Sequence, residues 1–257
     1  MTSRRLIVNW RHEPSYALMP IAELITTRPP DEPHYEFGYL EGVRRAVELG
    51  FEPFVAFPHL TRRYSRAELF PFFRNRVMPS TRPDYVHHVE ALGLSAEATD
   101  VIDLLGRSEG RHLSDRLETV LAAERDPRTG RYVTRCLLRS VRHVPGAESV
   151  IETLWAGSEL QPVAEPTNVR NPRARQLRFG GKPVGYVADY LLGDLDALEA
   201  AGAEVRFVVE RINPAPNSSR YRVLLRVDAE WPEGFEPFGD PAFAPYRRDA
   251  ATLSLVG

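Results

Sequence analysis

The chain has 257 residues, 43% of them hydrophobic and 26% charged, an ordinary globular composition with enough length for one large core or two smaller ones. A formal net charge of -2 gives no global attraction to nucleic acid or to an anionic membrane, so any such role must rest on a local patch. The single cysteine, Cys136, excludes an internal disulfide and a cysteine-based zinc site. The LIV run after Met1 is too short for a signal-peptide core, and no window approaches the roughly eighteen apolar residues of a spanning helix, so the expected location is the cytoplasm with no membrane partner. Lys182 is the only lysine among 33 basic residues. A GC-rich genome produces that bias, so arginine abundance alone does not argue for phosphate binding.

In chain order, Arg4 to Trp10 and Pro33 to Leu40 read as short strands between Pro-rich connections. Val43, Ala46, Val47 and Leu49 fall at helical spacing before Gly50. Six phenylalanines lie between Phe51 and Phe73, where Ser65 and Glu68 fit a capping box and Pro71 forces any helix to restart or kink. Thr81, Pro83 and Asp84 predict a helix start with Val86, Val89 and Leu92 on one face, and Ser95 to Leu105 repeats the pattern with Gly106 as its stop. The polar stretch Glu124 to Arg131 is the expected domain boundary. Beyond it, Tyr132 to Val144, Arg175 to Phe179, Lys182 to Val187, Glu204 to Ile212 and Arg220 to Ala229 read as strands, and Asp189 to Ala201 as a Leu-striped helix ended by Gly202. Trp231 to Asp249 reads as an ordered but irregular tail. The expected class is α+β: a small sheet plus helices over 1–130, a small, partly open β-barrel with one or two helices over 131–230, and a tail over 231–257.

Several short motifs suggest chemistry and fail on spacing. Gly180-Gly181-Lys182 lacks the earlier glycine and the following Ser or Thr of a phosphate loop, since Gln176 and Pro183 occupy those places; two glycines between apolar runs predict a tight hairpin instead. Gly106 to Gly110 matches G-x-S-x-G, but a nucleophile elbow needs a strand before its serine, and the preceding VIDLL reads as helix, which places Ser108 in a loop between helices. His87 and His88 are adjacent and, on a helix, point too far apart for one ion; no metal or other cofactor is expected. No Gly-rich loop, strand lysine, H-R-D or D-F-G of a kinase is present, and the chain is not expected to be an enzyme.

Ser140 to Val144 (SVRHV), Gly157 to Leu160 (GSEL), Ala164 to Asn168 (AEPTN), Ala174 and Gly181 to Val187 (GKPVGYV), followed by the Leu-striped helix, together resemble the HIRAN domain over about Tyr132 to Asp228. The resemblance implies a small β-barrel that binds single-stranded DNA or exposed DNA ends. In that family an Arg-Tyr-Tyr element and an Asn-x-Tyr-Asp element hold the strand end. At the matching positions stand Arg142, His143 and Val144, and Asn168, Arg170 and Asn171, so the phosphate-attracting residues are kept while stacking and hydroxyl-binding positions are substituted. From Asn168 to Lys182 the chain carries five basic residues and no acid: Arg170, Arg173, Arg175, Arg178 and Lys182. With Tyr186 these complete the candidate contact set; a solvated, Arg-rich loop in a docking or structural module is the other reading.

The N-terminal half resembles the N-terminal lobe of HipA-like proteins through RLIV, Tyr35 to Leu40, Phe57-Pro58 and Leu69 to Pro79, with the kinase lobe missing. That likeness implies at most a regulatory or docking part; the alternative function is an adaptor or antitoxin-like subunit that docks a separate kinase, helicase or nuclease, with no direct DNA contact. Read without it, the Phe-rich block is a core.

Overall fold

The computed structural model describes residues 2–28, 34–112, 115–214 and 220–247. Strands Thr2–Arg11 (β1), Leu18–Arg28 (β2) and His34–Tyr39 (β3) come first, then helix Val43–Glu48 (α1), strand Tyr64–Arg66 (β4) and helices Pro71–Arg74 (α2), Tyr85–Ala91 (α3) and Val101–Ser108 (α4). Strands Leu117–Leu121 (β5), Glu124–Arg125 (β6) and Tyr132–Leu137 (β7) lead to a 3-10 turn at Val141–His143 and helix Ala147–Ile151 (α5). Glu159–Ala164 (β8), Arg175–Phe179 (β9) and Lys182–Tyr186 (β10) precede a 3-10 turn, Asp189–Leu191, that runs into helix Leu192–Ala200 (α6). Arg206–Ile212 (β11), Val223–Ala229 (β12) and a 3-10 turn at Pro241–Phe243 complete the fold, which is α+β with two antiparallel sheets.

The chain divides into two compact units: Met1–Val77 with Val101–Ala122 and Gly239–Gly257, and Met78–Asp100 with Ala123–Phe238. In the first, the sheet order is β4-β3-β2-β1-β5. Strand alternation sends Leu6, Val8 and Trp10 of β1 into a core shared with Phe37, Tyr39, Phe51, Phe57, Phe70 and Phe73. Phe37 and Phe57 stack with centroids 3.8 Å apart, and the buried Tyr39 hydroxyl donates to the Phe57 carbonyl at 2.8 Å, so the Phe-rich block is core. Burial pushes the Tyr39 hydroxyl pKa above its usual range. The buried Glu23 of β2 accepts from Arg5 (2.7 Å) and Arg63 (2.9 Å).

In the second unit the order is β10-β9-β8-β11-β12-β7-β6. Tyr132, Leu160, Leu177, Val184, Leu195, Phe207, Leu225 and Val227 are buried. The described strands form no closed barrel: the sheet has β10 and β6 as its edges. The edge strand β10 nevertheless curls back, because Arg139, just past β7, and Tyr186 exchange both backbone hydrogen bonds at 2.9 Å. Gly185 makes that approach feasible; a Cβ there would lie 2.6 Å from the Arg139 carbonyl oxygen. Gly180 (φ 55°) and Gly181 (φ 78°) form the expected two-residue turn between β9 and β10.

Several expectations are corrected. β2 carries no clear strand signal because Pro20 argues against a central strand; it is accommodated where a bulge at Val8/Asn9 shifts the register. β8 contains Pro162 and is mostly exposed, so it lacks an alternating pattern, and β5 is a further strand beyond those expected. The strand expected over Tyr132 to Val144 stops at Leu137, where Ser140 (φ 59°) opens the 3-10 turn. Ser65 does not cap a helix: it lies in β4, and Pro71 is the first residue of α2, the place where its missing N–H costs nothing. The helix expected to stop at Gly106 spans Val101–Ser108, and Val86, expected on the inward face of α3, is 53% exposed.

The polar stretch 124–131 is a hairpin, with Asp126 accepting from the backbone of Arg128 and Thr129, and the unit boundary falls between Ala122 and Ala123. Trp231 and Phe235 pack edge-on beside the buried Tyr132, and residues 239–247 belong to the first unit. Pro33, the start of one expected strand, and residues 248–249 of the expected tail lie outside the described residues.

Candidate nucleic-acid interface

Both motif stretches meet at Tyr186. Its backbone is bridged to Arg139, three residues before Arg142, and its hydroxyl donates to Glu165 Oε2 at 2.9 Å, three residues before Asn168. Burial, with Glu165 beside it, holds the Tyr186 pKa above its ordinary value. Glu165 is a hub: it also accepts from Asn168 Nδ2 (3.1 Å) and from the buried Gln176 (2.8 Å).

The loop from Glu165 to Ala174 is built by side-chain mimicry of backbone turns. Asn168 Oδ1 accepts from the N–H groups of Arg170 (3.0 Å) and Asn171 (3.2 Å), and Asn171 Oδ1 accepts from the N–H of Arg173 (3.0 Å). Asn171 Nδ2 donates to Asp189 at 3.1 Å, tying the loop to the turn before α6. Asn168 and Asn171 therefore shape the loop, and Val169 (100% exposed), Arg170 and Arg173 are what it presents.

Arg142 and His143 are exposed on the 3-10 turn, with Arg142 Nε donating to His143 Nε2 at 2.9 Å. Val144, matched in sequence to the second tyrosine of the HIRAN Arg-Tyr-Tyr element, is buried and unavailable for stacking. The basic residues divide by partner. Arg173 donates to Asp196 at 2.6 and 3.1 Å, and Arg175 donates to Asp196 and Glu199, both carboxylates on α6. Burial alone would lower the pKa of Arg175, and those two carboxylates more than reverse it. Arg178 instead donates to the neutral Gln176 (2.7 Å), and Lys182 is exposed at the hairpin, where no ion pair engages it among the described residues.

Sequence reading missed Glu165 and Gln176, whose polar side chains in a β context carry no motif, and Arg139, whose guanidinium lies 5.7 Å from the Tyr190 ring centre. It also missed Trp155, 60% exposed and edge-on to Phe179 with centroids 5.6 Å apart.

The rejected motifs have structural explanations. Ser108 ends α4, buried, with its Oγ 3.3 Å from the Gly110 N–H, a helix C-terminus and not the loop between helices expected from sequence. His88 packs against Tyr221 (5.6 Å), and no group of three or more metal-ligating side chains is found among the described residues. No described helix is long and apolar enough to cross a membrane.

The second unit is thus a curled antiparallel sheet with a preorganised basic loop at one corner. No family model matches the chain, and no curated protein matches it. Among solved structures, the HIRAN domain of human HLTF is similar at 18% identity over 39% of this chain and 77% of that one, with a TM-score of 0.31. A protein from Lactobacillus plantarum is similar at 16% identity over 38% of this chain and 99% of that one, with a TM-score of 0.30. Neither supports the HipA-like resemblance of the N-terminal half.

Proposed function

We propose that residues 131–230 form a HIRAN-like small β-barrel, its seam the Arg139–Tyr186 bridge, and that it binds single-stranded nucleic acid or exposed DNA ends without catalysis. The observation that carries this reading is the loop held by Asn168 and Glu165, which fixes an exposed Arg170 beside the strand that also anchors the Arg142 turn. An exposed arginine on a backbone held in place attracts phosphates without reading sequence. His143 is the aromatic residue placed to stack on a base, and Arg142, Arg170 and Lys182 supply charge.

Fluorescence anisotropy with a labelled single strand tests it: affinity should fall with salt and drop in the Arg170→Ala, Arg173→Ala double variant, and no binding at low salt overturns it. With Asn171 engaged by Asp189, a 3'-hydroxyl strand and a 3'-phosphate strand should bind alike; strong preference for the hydroxyl would show an end-binding pocket instead.

A second reading, a docking subunit for a separate kinase, helicase or nuclease, is favoured by the exposed Trp155 and by the carboxylates already held on Arg173 and Arg175. It predicts no affinity for the bare strand.

A further inference from the structure

Asp196 of α6 engages two different guanidinium groups with its two carboxylate oxygens. Oδ2 accepts from Arg173 Nη2 (2.6 Å) and Nε (3.1 Å), while Oδ1 accepts from Arg175 Nη2, whose Nη1 donates to Glu199. Two guanidinium groups converging on a pair of anionic oxygens is a geometry that the non-bridging oxygens of a phosphodiester fill equally well. Arg175 is the fixed member, its side chain 12% exposed, whereas Arg173 and Asp196 are 56% and 47% exposed. Water reaches that outer pair, and ion pairs of such exposure are weak and exchangeable.

Resting on the nucleic-acid reading above, we infer that Arg173 and Arg175 form a phosphate site that the chain keeps filled with its own Asp196, so that a strand phosphate binds by displacing the carboxylate. The contact is autoinhibitory. A polyanion that touches several cations at once offsets the displacement, and a lone phosphate ion does not, so the carboxylate selects strands over small anions. Glu199 keeps Arg175 in place while Asp196 is displaced.

The test compares Asp196→Asn with Glu210→Gln, which removes the same charge from a carboxylate paired 2.7 Å from Arg135 elsewhere in the unit. Anisotropy with a labelled single strand should show Asp196→Asn binding about two- to fivefold more tightly than wild type, with a steeper dependence of log Kd on log salt, while Glu210→Gln stays at the wild-type value. Asp196→Ser should repeat the gain, with circular dichroism confirming the fold of each variant. Wild-type binding that is unchanged or weakened in Asp196→Asn, or a gain matched by Glu210→Gln, overturns the inference and leaves the binding reading standing. No binding by wild type or Asp196→Asn at low salt overturns both.

Discussion

The two units use their side chains in opposite directions. In the first, the phenylalanine cluster points inward: Phe37, Phe57 and Phe73 are fully buried, and the buried Glu23 of the same unit is held by two arginines. In the second, the core is mainly aliphatic, with Leu160, Leu177, Leu195 and Leu225, and the chemistry points outward through Arg142, Arg170 and Lys182 and through the exposed ring of Trp155. Aromatic richness in a sequence therefore does not mark a stacking surface. A ring that fills a core is unavailable to a base.

That contrast can be broken at several points. Phe57→Ala should have the largest effect, a loss of about 3 to 5 kcal/mol in chemical denaturation, because it empties the centre of the first unit's aromatic cluster. Glu23→Ala should cost about 1 to 3 kcal/mol, since it deletes a buried acceptor shared by two arginines that are only about one third exposed, although Arg5 keeps the Phe243 carbonyl and Arg63 keeps Glu36. Asn168→Ala should cost about 1 kcal/mol, because it removes two accepted backbone hydrogen bonds in a solvent-exposed loop. Its effect on strand affinity should be several-fold, measured by the same anisotropy titration, because Arg170 loses its fixed position. The reverse outcome, a large loss of stability with unchanged affinity, would make the loop purely structural.

The smallest effect concerns pH. Burial against Tyr221 lowers the pKa of His88, with Asp84 opposing, so the folded state binds fewer protons than the unfolded chain just below the ordinary imidazole value of about 6.5. Stability that is full above that value should decline as pH falls through it toward the lower folded pKa. Thermal melts at pH 8 and pH 5.5 should show a larger drop in Tm for wild type than for His88→Phe.

Legibility followed the locality of the signal. The Gly180-Gly181 hairpin, the helix ending at Gly50 and the Leu-striped α6 were readable because positive φ and 3.6-residue periodicity are local properties. β2 and β8 were not, since each holds a proline, Pro20 beside a bulge and Pro162 where the strand pairs with β9 beyond its short pairing with β11. The association of Met78–Asp100 with the later part of the chain is a long-range arrangement that no local pattern encodes. At the site, the sequence singled out Arg142, His143 and the Arg-rich loop but not the 3-10 turn that carries the first two, the connection through Tyr186 and Glu165, or the carboxylates of α6 facing Arg173 and Arg175. Five basic residues without an acid read as free positive charge in one dimension; in three, Arg173 and Arg175 face the carboxylates of α6 and Arg178 donates to Gln176.

The most direct test of the account is the salt dependence of strand binding by the unaltered chain and by an Arg142→Ala, Arg170→Ala, Lys182→Ala variant. Anisotropy from about 50 to 200 mM salt should give a linear fall of log affinity for the unaltered chain, and the slope of the variant should be shallower by about 0.7 for each phosphate that is no longer neutralised. Absence of binding at the lowest salt, or equal slopes for the two proteins, would contradict the claim that this surface holds a nucleic-acid strand.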